Sequence, residues 1–213
     1  MLQAYGLTMT TAVHTGWLIG VIPIWSALLS ALLLKERFGP LKLAGLIGGF
    51  AGAVLVVSHG EIVSQTLRLP ATRGDLLILL STVNWAVYSV LGHGTIKRLG
   101  PARATAGAML FGWLMLVPFF VYDQGWLQLP NLSLKGWSAL VFLGVGCSGL
   151  GYLFWYSALE RLEVSRVAAF LYLQPLVTLL AAVLLLNETV SAATVIGGLV
   201  VLLSVFVIQR ARA

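Results

Sequence analysis

Charged residues are scarce in this sequence of 213 residues: they make up 9% of it, whereas hydrophobic residues make up 59%. A soluble domain carries roughly a quarter charged residues, so this chain lacks the polar surface that keeps a protein in water. With a mean hydropathy of +0.97, the sequence predicts an integral membrane protein. The net charge of +6 does not indicate nucleic acid, because the basic residues lie between apolar runs and form no patch.

Side chains for metal, redox or catalytic chemistry are also few. The single cysteine, Cys147, excludes a disulfide within the chain and a cysteine metal cluster. None of the three histidines has a partner at metal-ligand spacing, and all seven acidic residues fall in predicted loops or at the ends of predicted membrane spans. We therefore expect no metal, no cofactor, no enzyme activity and no buried carboxylate for proton coupling.

Seven apolar runs dominate what remains, and each is long enough to cross a bilayer as a helix, which takes about 20 residues. Transmembrane strands are about half as long and alternate in polarity, so the predicted fold class is an all-α membrane protein. The predicted spans cover residues 12–34, 41–58, 75–96, 105–122, 136–159, 164–187 and 192–208.

Glycines are concentrated in two of these runs. Gly45, Gly48, Gly49 and Gly52 form two overlapping G-x-x-x-G pairs, which predict close helix packing. Residues 144–149 fit a dinucleotide-binding pattern and are similar to the Gly-Cys-Ser-Gly motif of rhomboid proteases. The dinucleotide-binding pattern requires a preceding strand, which an apolar membrane span does not provide. The rhomboid motif requires a later histidine to activate the serine, and no histidine follows this stretch. We therefore assign these glycines to close helix contacts as well.

Two stretches repeat one another. Residues 19–36 (IGVIPIWSALLSALLLKE) and 171–188 (LYLQPLVTLLAAVLLLNE) each hold a proline inside an apolar run and end in Leu-Leu-Leu-x-Glu. A constant register over several residue types indicates an internal duplication. The same interval of 152 residues separates Pro23 from Pro175, Glu36 from Glu188, and Gly45 from Gly197.

The basic residues between the predicted spans give the expected orientation. Ten of them, including Lys42 and Arg166, lie on one side of the membrane and three on the other, which places the ten and the C-terminus in the cytoplasm. Glu36 is then expected at the cytoplasmic face and Glu188 at the opposite face. The two copies would run in opposite directions, and inverted repeats are typical of secondary transporters.

The repeat also predicts the domain organisation. Residues 1–58 are expected to be the last two helices of a first repeat, 59–73 an extracytoplasmic loop, and 74–209 a complete second repeat of five helices. Because the second repeat starts near residue 74, a shift of 152 places the start of the first about 78 residues before Met1. We thus expect three helices to be missing, which a homodimer or another partner would supply.

These features resemble a known family. The two repeat copies, together with Asn84-Trp85-Ala86-Val87-Tyr88 before a basic turn, look like the EamA-type carriers of the drug/metabolite transporter superfamily. The resemblance implies a ten-helix design of two inverted five-helix repeats, of which seven helices are present. It also implies export of small metabolites such as amino acids, amines or drugs across the bacterial inner membrane. The alternative is a non-transporting assembly partner or an inactive truncated remnant.

Aromatic and amide side chains within the spans are the candidate substrate contacts. Their rings offer stacking and cation–π contacts without a fixed charge, which suits a zwitterionic, aromatic or weakly cationic metabolite. The alternative for each ring is an ordinary helix contact in which its N–H or O–H finds a partner. The predicted pocket is lined by Trp17, Asn84, Trp85, Tyr88, Tyr152, Trp155 and Gln174.

The repeated prolines and glutamates have separate predicted roles. Pro23 and Pro175 are expected to kink their helices near the membrane midplane and to free carbonyl groups, either for substrate or only for packing. Glu36 and Glu188 close apolar runs next to another helix, where a carboxylate favours the positive N-terminus. Because functional acids normally lie deep in a bundle, both glutamates are assigned a structural role.

Overall fold

The computed structural model describes residues 2–10, 12–58, 72–186 and 190–211. Within these residues the structure is helical, with no strand. The α-helices are α1 (Leu2–Leu7), α2 (Ala12–Ile19), α3 (Ile22–Leu33), α4 (Pro40–Ser58), α5 (Arg73–Leu99), α6 (Pro101–Tyr122), α7 (Leu134–Val141), α8 (Tyr152–Arg161), α9 (Val164–Ala169), α10 (Gln174–Leu186) and α11 (Ala192–Arg210). A π-helical segment, Phe142–Gly151, joins α7 to α8, and a 3-10 helix, Phe170–Leu173, joins α9 to α10.

Seven helical stretches of the described chain have the length and composition needed to cross a membrane, which confirms the predicted all-α membrane fold. The fourth span, helix α6, begins four residues earlier than predicted, because Pro101 takes the first helical position, where a missing N–H leaves no additional group unpaired. The seven stretches are Thr15–Leu33, Pro40–Ser58, Arg73–Leu99, Pro101–Tyr122, Leu134–Arg161, Val164–Ala181 and Ala192–Arg210.

The chain divides into two compact units, one made of residues 1–91 and 163–213, and the other of residues 92–162. In the second unit, α6 packs against α8 and most apolar side chains are exposed. The first unit holds the described helices of both repeat copies. Its core cluster consists of Ala27, Leu46, Ala53, Ala169, Tyr172, Val201, Val205 and Ile208.

The predicted repeat is visible in the helix bounds of the first unit. The helices α2 and α9 begin 152 residues apart, and so do α3 and α10, and α4 and α11. The helices α4 and α11 also end 152 residues apart. The interval that relates the sequence patterns therefore also relates three successive helix starts.

The helices α4 and α11 approach each other through their glycines. A Cβ on Gly45 would lie 2.6 Å from Cγ1 of Ile208, and a Cβ on Gly52 would lie 2.8 Å from the carbonyl oxygen of Gly197. A Cβ on Gly197 would in turn lie 2.8 Å from the carbonyl oxygen of Gly52. Real side chains do not reach such distances, so the predicted packing role of the first glycine stretch is confirmed.

The pairs in contact show how these two helices run. Gly45 meets Ile208, whereas Gly52 lies further along α4 and meets Val201. Residue numbers rise on one helix as they fall on the other, so the two helices are antiparallel. Shifting the pair Gly45–Ile208 by 152 residues gives Gly197–Val56, where a Cβ on Gly197 would lie 3.0 Å from the Val56 nitrogen. The contacts are therefore reciprocal: each copy presents the same surface to the other.

The second glycine stretch behaves differently from the first. A Cβ on Gly144 would meet nothing within 4 Å, and those on Gly149 and Gly151 would meet only carbonyl oxygens of the same π-helical segment. The prediction that these glycines make close contacts with another helix is therefore wrong in the described part of the chain. Their carbonyl contacts lie five residues back, which is the spacing of a π-helix.

Candidate functional site

Two of the predicted substrate contacts come together on α5. The ring centroids of Trp85 and Tyr88 are 6.1 Å apart with an interplanar angle of 39°, which is within the range of a favourable aromatic pair. Both side chains are half-buried, whereas Asn84 beside them is exposed. The three-residue spacing on a helix explains the pair.

The other predicted contacts are distributed over both units. Trp17 on α2 is half-buried, and Gln174, the first residue of α10, is exposed. Tyr152 and Trp155 are half-buried on α8, in the second unit. A single pocket lined by all seven side chains stays a prediction.

Both repeated prolines lie at helix starts. Pro23 is the second residue of α3, after a turn at Gly20 and Val21 that interrupts the first span. Pro175 is the second residue of α10, after the 3-10 helix Phe170–Leu173. Each expected kink is thus a break between two helices, and the proline occupies a first turn, where its missing N–H does not remove a helix hydrogen bond.

A polar cluster joins the two repeat copies at the end that carries most of the basic residues. Glu36 follows α3, and its carboxylate reaches the first residues of α9. The N–H of Val164 donates to Oε1 over 2.7 Å, and the N–H of Ser165 donates to Oε2 over 3.3 Å. The hydroxyls of Ser165 and Ser30 donate to Oε2 over 2.5 and 3.0 Å. Glu36 therefore caps a helix of the other copy, where the first N–H groups lack helix partners and attract negative charge.

Lys42 extends this cluster toward a second acid. Its ammonium lies 2.8 Å from Oε2 of Glu163 and 3.7 Å from Oε2 of Glu36, and the side chain is only 1% exposed. It also lies 4.4 Å from the ring centroid of Phe38, a cation–π distance. Two carboxylates and an aromatic ring compensate the cost of burying this cation.

Arg166 links the start of α9 to the end of α11. Its Nε donates to Oε2 of Glu163 over 3.0 Å, while Nη1 and Nη2 donate to the carbonyls of Gln209 and Ala211 over 3.0 and 2.8 Å. The amide of Gln209 donates back to the Arg166 carbonyl over 2.9 Å. Burial raises the pKa of Glu163, but Lys42 and Arg166 outweigh this and hold the pKa below its ordinary value of 4.5.

Two carboxylates are buried, contrary to the expectation from the sequence, while the absence of a carboxylate for proton coupling stays a prediction. The Glu36 side chain is 8% exposed, and Asp75 is fully buried near the start of α5. Asp75 accepts hydrogen bonds from the Thr10 hydroxyl over 2.6 Å and from the Thr72 N–H over 3.0 Å, and its own N–H donates to the Thr72 hydroxyl over 3.1 Å. Hydrogen bonds at helix starts replace the water that each acid loses on burial.

The sequence reasoning missed the ion pairs of this cluster. Lys42 and Arg166 counted only as loop cations for orientation, although both pair with Glu163. The sequence did carry one signal, because each repeat copy has a glutamate at the same position shortly before a helix start. This signal indicated a contact with a helix, but it did not show which helix. Glu188, the equivalent acid of the second copy, lies outside the described residues.

Comparisons with known proteins agree with this architecture. A family model described as the EamA-like transporter family matches residues 1–58 and 72–210. An uncharacterized transporter of Archaeoglobus fulgidus is 33% identical over 204 residues, which cover 96% of this chain and 69% of that protein. The "Probable terminal-alkyne amino-acid exporter" of Streptantibioticus cattleyicolor is 27% identical over 194 residues, covering 91% of this chain and 62% of that protein.

A solved crystal structure gives a TM-score of 0.79 at 23% identity, covering 97% of this chain and 70% of the other, which shows a shared fold. The chain spans about two thirds of the length of the curated relatives it matches. The two relatives described above carry the names of a transporter and an exporter. Because the family model matches most of its residues, this multi-pass membrane protein belongs to the EamA-like transporter family.

Proposed function

We propose that the protein transports small metabolites across a membrane by alternating access between two inverted repeats. The observation that carries this proposal is the reciprocal, antiparallel contact of α4 with α11. A two-fold relation between copies allows equivalent contacts to form at either end of the protein, which is the basis of alternating access in inverted-repeat carriers. The domain organisation proposed from the sequence, with residues 1–58 in the first repeat, 59–73 as a loop and 74–209 as the second repeat, is compatible with this relation.

The proposed substrates are zwitterionic, aromatic or weakly cationic metabolites, and the proposed direction is export. The half-buried pair of Trp85 and Tyr88 offers ring faces without a fixed charge. The exporter name of the Streptantibioticus cattleyicolor relative supports amino acids as a substrate class and export as the direction. The side with ten basic residues, including the C-terminus, is assigned to the cytoplasm of a bacterial inner membrane.

The experiment is counterflow in proteoliposomes made with the full chain. Vesicles are loaded with a high concentration of an unlabelled amino acid or amine. They are then diluted into buffer that contains only a trace of the same compound in labelled form. Transient uptake of label above that of protein-free vesicles is expected for at least one compound. Label that enters every set of vesicles at the protein-free rate would contradict transport and favour a non-transporting assembly partner.

A further inference from the structure

We propose that the cluster around Glu36 is a latch that keeps the basic end of the protein closed and opens once in each transport cycle. The latch consists of Ser30, Glu36 and Lys42 from the first copy and Glu163–Arg166 at the start of α9. It rests on the proposed function because it assigns a gate to that cycle. Glu36 acts as its positioning residue, since it binds α9 rather than the substrate.

The chemistry of the cluster suits a contact that has to separate. Glu36 holds α9 only through hydrogen bonds, and Lys42 holds Glu163 through an ion pair. The cluster lies at the ends of membrane spans, and the Glu163 side chain is 32% exposed. Water can therefore replace the lost partners when the helices part, which lowers the cost of opening.

The packing of the two copies is unequal in the way that a gate requires. A shift of 152 residues turns the helix pair α3–α9 into the pair α10–α2. The structure packs α3 along α9, but no comparable packing joins α2 to α10 among the described residues. Both of those helices pack instead against α4. Within the described residues, which do not include 187–189 and so omit Glu188, α3 and α9 are thus packed together while α2 and α10 are not. An asymmetry of this kind is expected of an alternating-access carrier in one of its two states.

The buried face of α3 provides a reporter for this closure. Ser26 lies one helical turn before Ser30 on that face and is fully buried. Within the described part of the chain, its hydroxyl has no hydrogen-bond partner. Because α9 is the helix that packs along α3, we expect a small side chain at this position to be shielded while the two helices are packed and to become accessible to water when they separate.

The first test measures the reactivity of a cysteine at this position. The change Ser26→Cys is made together with Cys147→Ser, which removes the exposed native thiol, and the rate of labelling by N-ethylmaleimide is measured in proteoliposomes without substrate. Adding Glu36→Gln should raise the rate about tenfold, because hydrogen bonds to a charged acceptor are lost. The matched control Glu160→Gln, which removes a glutamate outside the latch, should leave the rate unchanged.

A milder variant keeps this test valid if Glu36→Gln fails to fold. Ser165→Ala removes one hydroxyl donor but leaves the backbone N–H contacts with Glu36 in place. It should raise the labelling rate about threefold. The protein that carries both changes should be labelled no faster than Glu36→Gln alone, because Ser165 acts through the carboxylate of Glu36. Labelling rates equal to the parent in folded Glu36→Gln and folded Ser165→Ala would overturn the latch.

The second test asks whether the latch opens during transport. In the Cys147→Ser protein, cysteines replacing Ser30 and Ser165, whose hydroxyls contact one carboxylate oxygen, are joined by a short reducible bis-methanethiosulfonate linker. Linked protein should lose counterflow and regain it on reduction, whereas unchanged counterflow in linked protein would overturn the proposal. If the unlinked parent shows no counterflow, the proposed function fails, and the labelling rates still decide whether Glu36 holds the two helices together.

Discussion

Two of the contacts between the repeat copies are built from different materials. Between α4 and α11, backbone and apolar atoms come too close for any side chain on Gly52 or Gly197. Between α3 and α9, a carboxylate, two hydroxyls and an ammonium connect the helices. The first contact consists mainly of backbone and apolar atoms, with the Ser204 hydroxyl beside Gly48. The second consists of polar groups that water could satisfy on separation. One duplicated sequence can therefore form both a permanent contact, between α4 and α11, and a releasable contact, between α3 and α9.

The largest loss of stability is expected from disrupting the permanent contact between α4 and α11. Gly52→Val should strongly destabilise the fold, because its Cβ would lie 2.8 Å from the Gly197 carbonyl oxygen and 2.9 Å from the Val201 nitrogen, and backbone atoms cannot easily move aside. We expect the free energy of unfolding to fall by about 3 kcal/mol or more. The measurement is thermal unfolding in detergent, together with the yield of monodisperse protein.

The control for this prediction is Gly107→Ala on α6, where a Cβ would meet nothing within 4 Å. Replacing a helical glycine without a clash should stabilise the protein by up to about 1 kcal/mol. A Gly52→Val protein with the parent's unfolding temperature would show that α4 and α11 are not held by close backbone contact.

A smaller loss of stability is expected when the releasable contact is weakened. Glu36→Gln should lower the free energy of unfolding by about 2 kcal/mol, since hydrogen bonds to an ionised group contribute about 1.5–3 kcal/mol. Glu160→Gln should change it by less than about 0.5 kcal/mol, because no ion pair is seen at Glu160 in the described residues. Equal unfolding temperatures for the two variants would refute this ranking. Normal yield of Glu36→Gln with loss of proton-driven uptake alone would refute the structural assignment.

Changes outside both contacts should affect the substrate more than the fold. Trp85→Ala, Tyr88→Ala and Tyr152→Ala each remove one ring from the proposed pocket. Each ring contact with a cationic group contributes about 0.5–2 kcal/mol, so the apparent substrate affinity should weaken by about 2- to 30-fold. Concentration-dependent counterflow measures this effect. Unchanged affinity and rate in all three variants would place the substrate elsewhere.

The smallest expected effect is the pH dependence of the releasable contact. The pKa of Glu163 in the folded protein lies below 4.5, with burial opposing and its ion pairs with Lys42 and Arg166 producing this shift. A lowered pKa stabilises the folded state above pH 4.5, and this contribution disappears as the pH falls through the folded-state pKa. Because Glu163 is about one third exposed, the contribution should be below about 1 kcal/mol.

This pH dependence is measured as the unfolding temperature between about pH 6 and pH 3 in the parent and in Glu163→Gln. The difference between the two proteins should shrink toward the acidic end. A difference that stays constant over the whole range would show that Glu163 does not contribute through its charge.

The spans and the repeat were predictable because their signals are local. An apolar run of sufficient length has few alternatives to a membrane helix. The number of residues between Pro23 and Pro175 equals the number between the starts of the corresponding helices, so the repeat could be read from the sequence. The packing of Gly45 and Gly52 also followed from their spacing. Gly144 is also a glycine in an apolar run, but no atom lies within 4 Å of the position that its Cβ would take. Whether another helix passes a glycine is decided by the tertiary fold and cannot be read from the local sequence.

The latch was only half predictable, for a physical reason. The position of Glu36 indicated a contact with a helix start, but its partners lie 128 and 129 residues away and include backbone N–H groups. Every residue except proline carries such a group, so a sequence does not show which of them a carboxylate will find. Burial of Lys42 and Asp75 was missed for a related reason: each depends on long-range partners that compensate the lost hydration.

The reciprocal contact of α4 with α11 also bears on how such a chain could arise. A contact in which residue pairs exchange under one fixed shift has the form of an interface between two identical subunits. Gly45 with Ile208 and Gly197 with Val56 are the two halves of such an interface. A single ancestral gene product could build both sides by pairing with a second copy inserted the other way up. Fusing the two genes would then preserve the interface and free each half to diverge, so that one copy can keep a feature, such as the buried lysine at position 42, that the other replaces with Thr194.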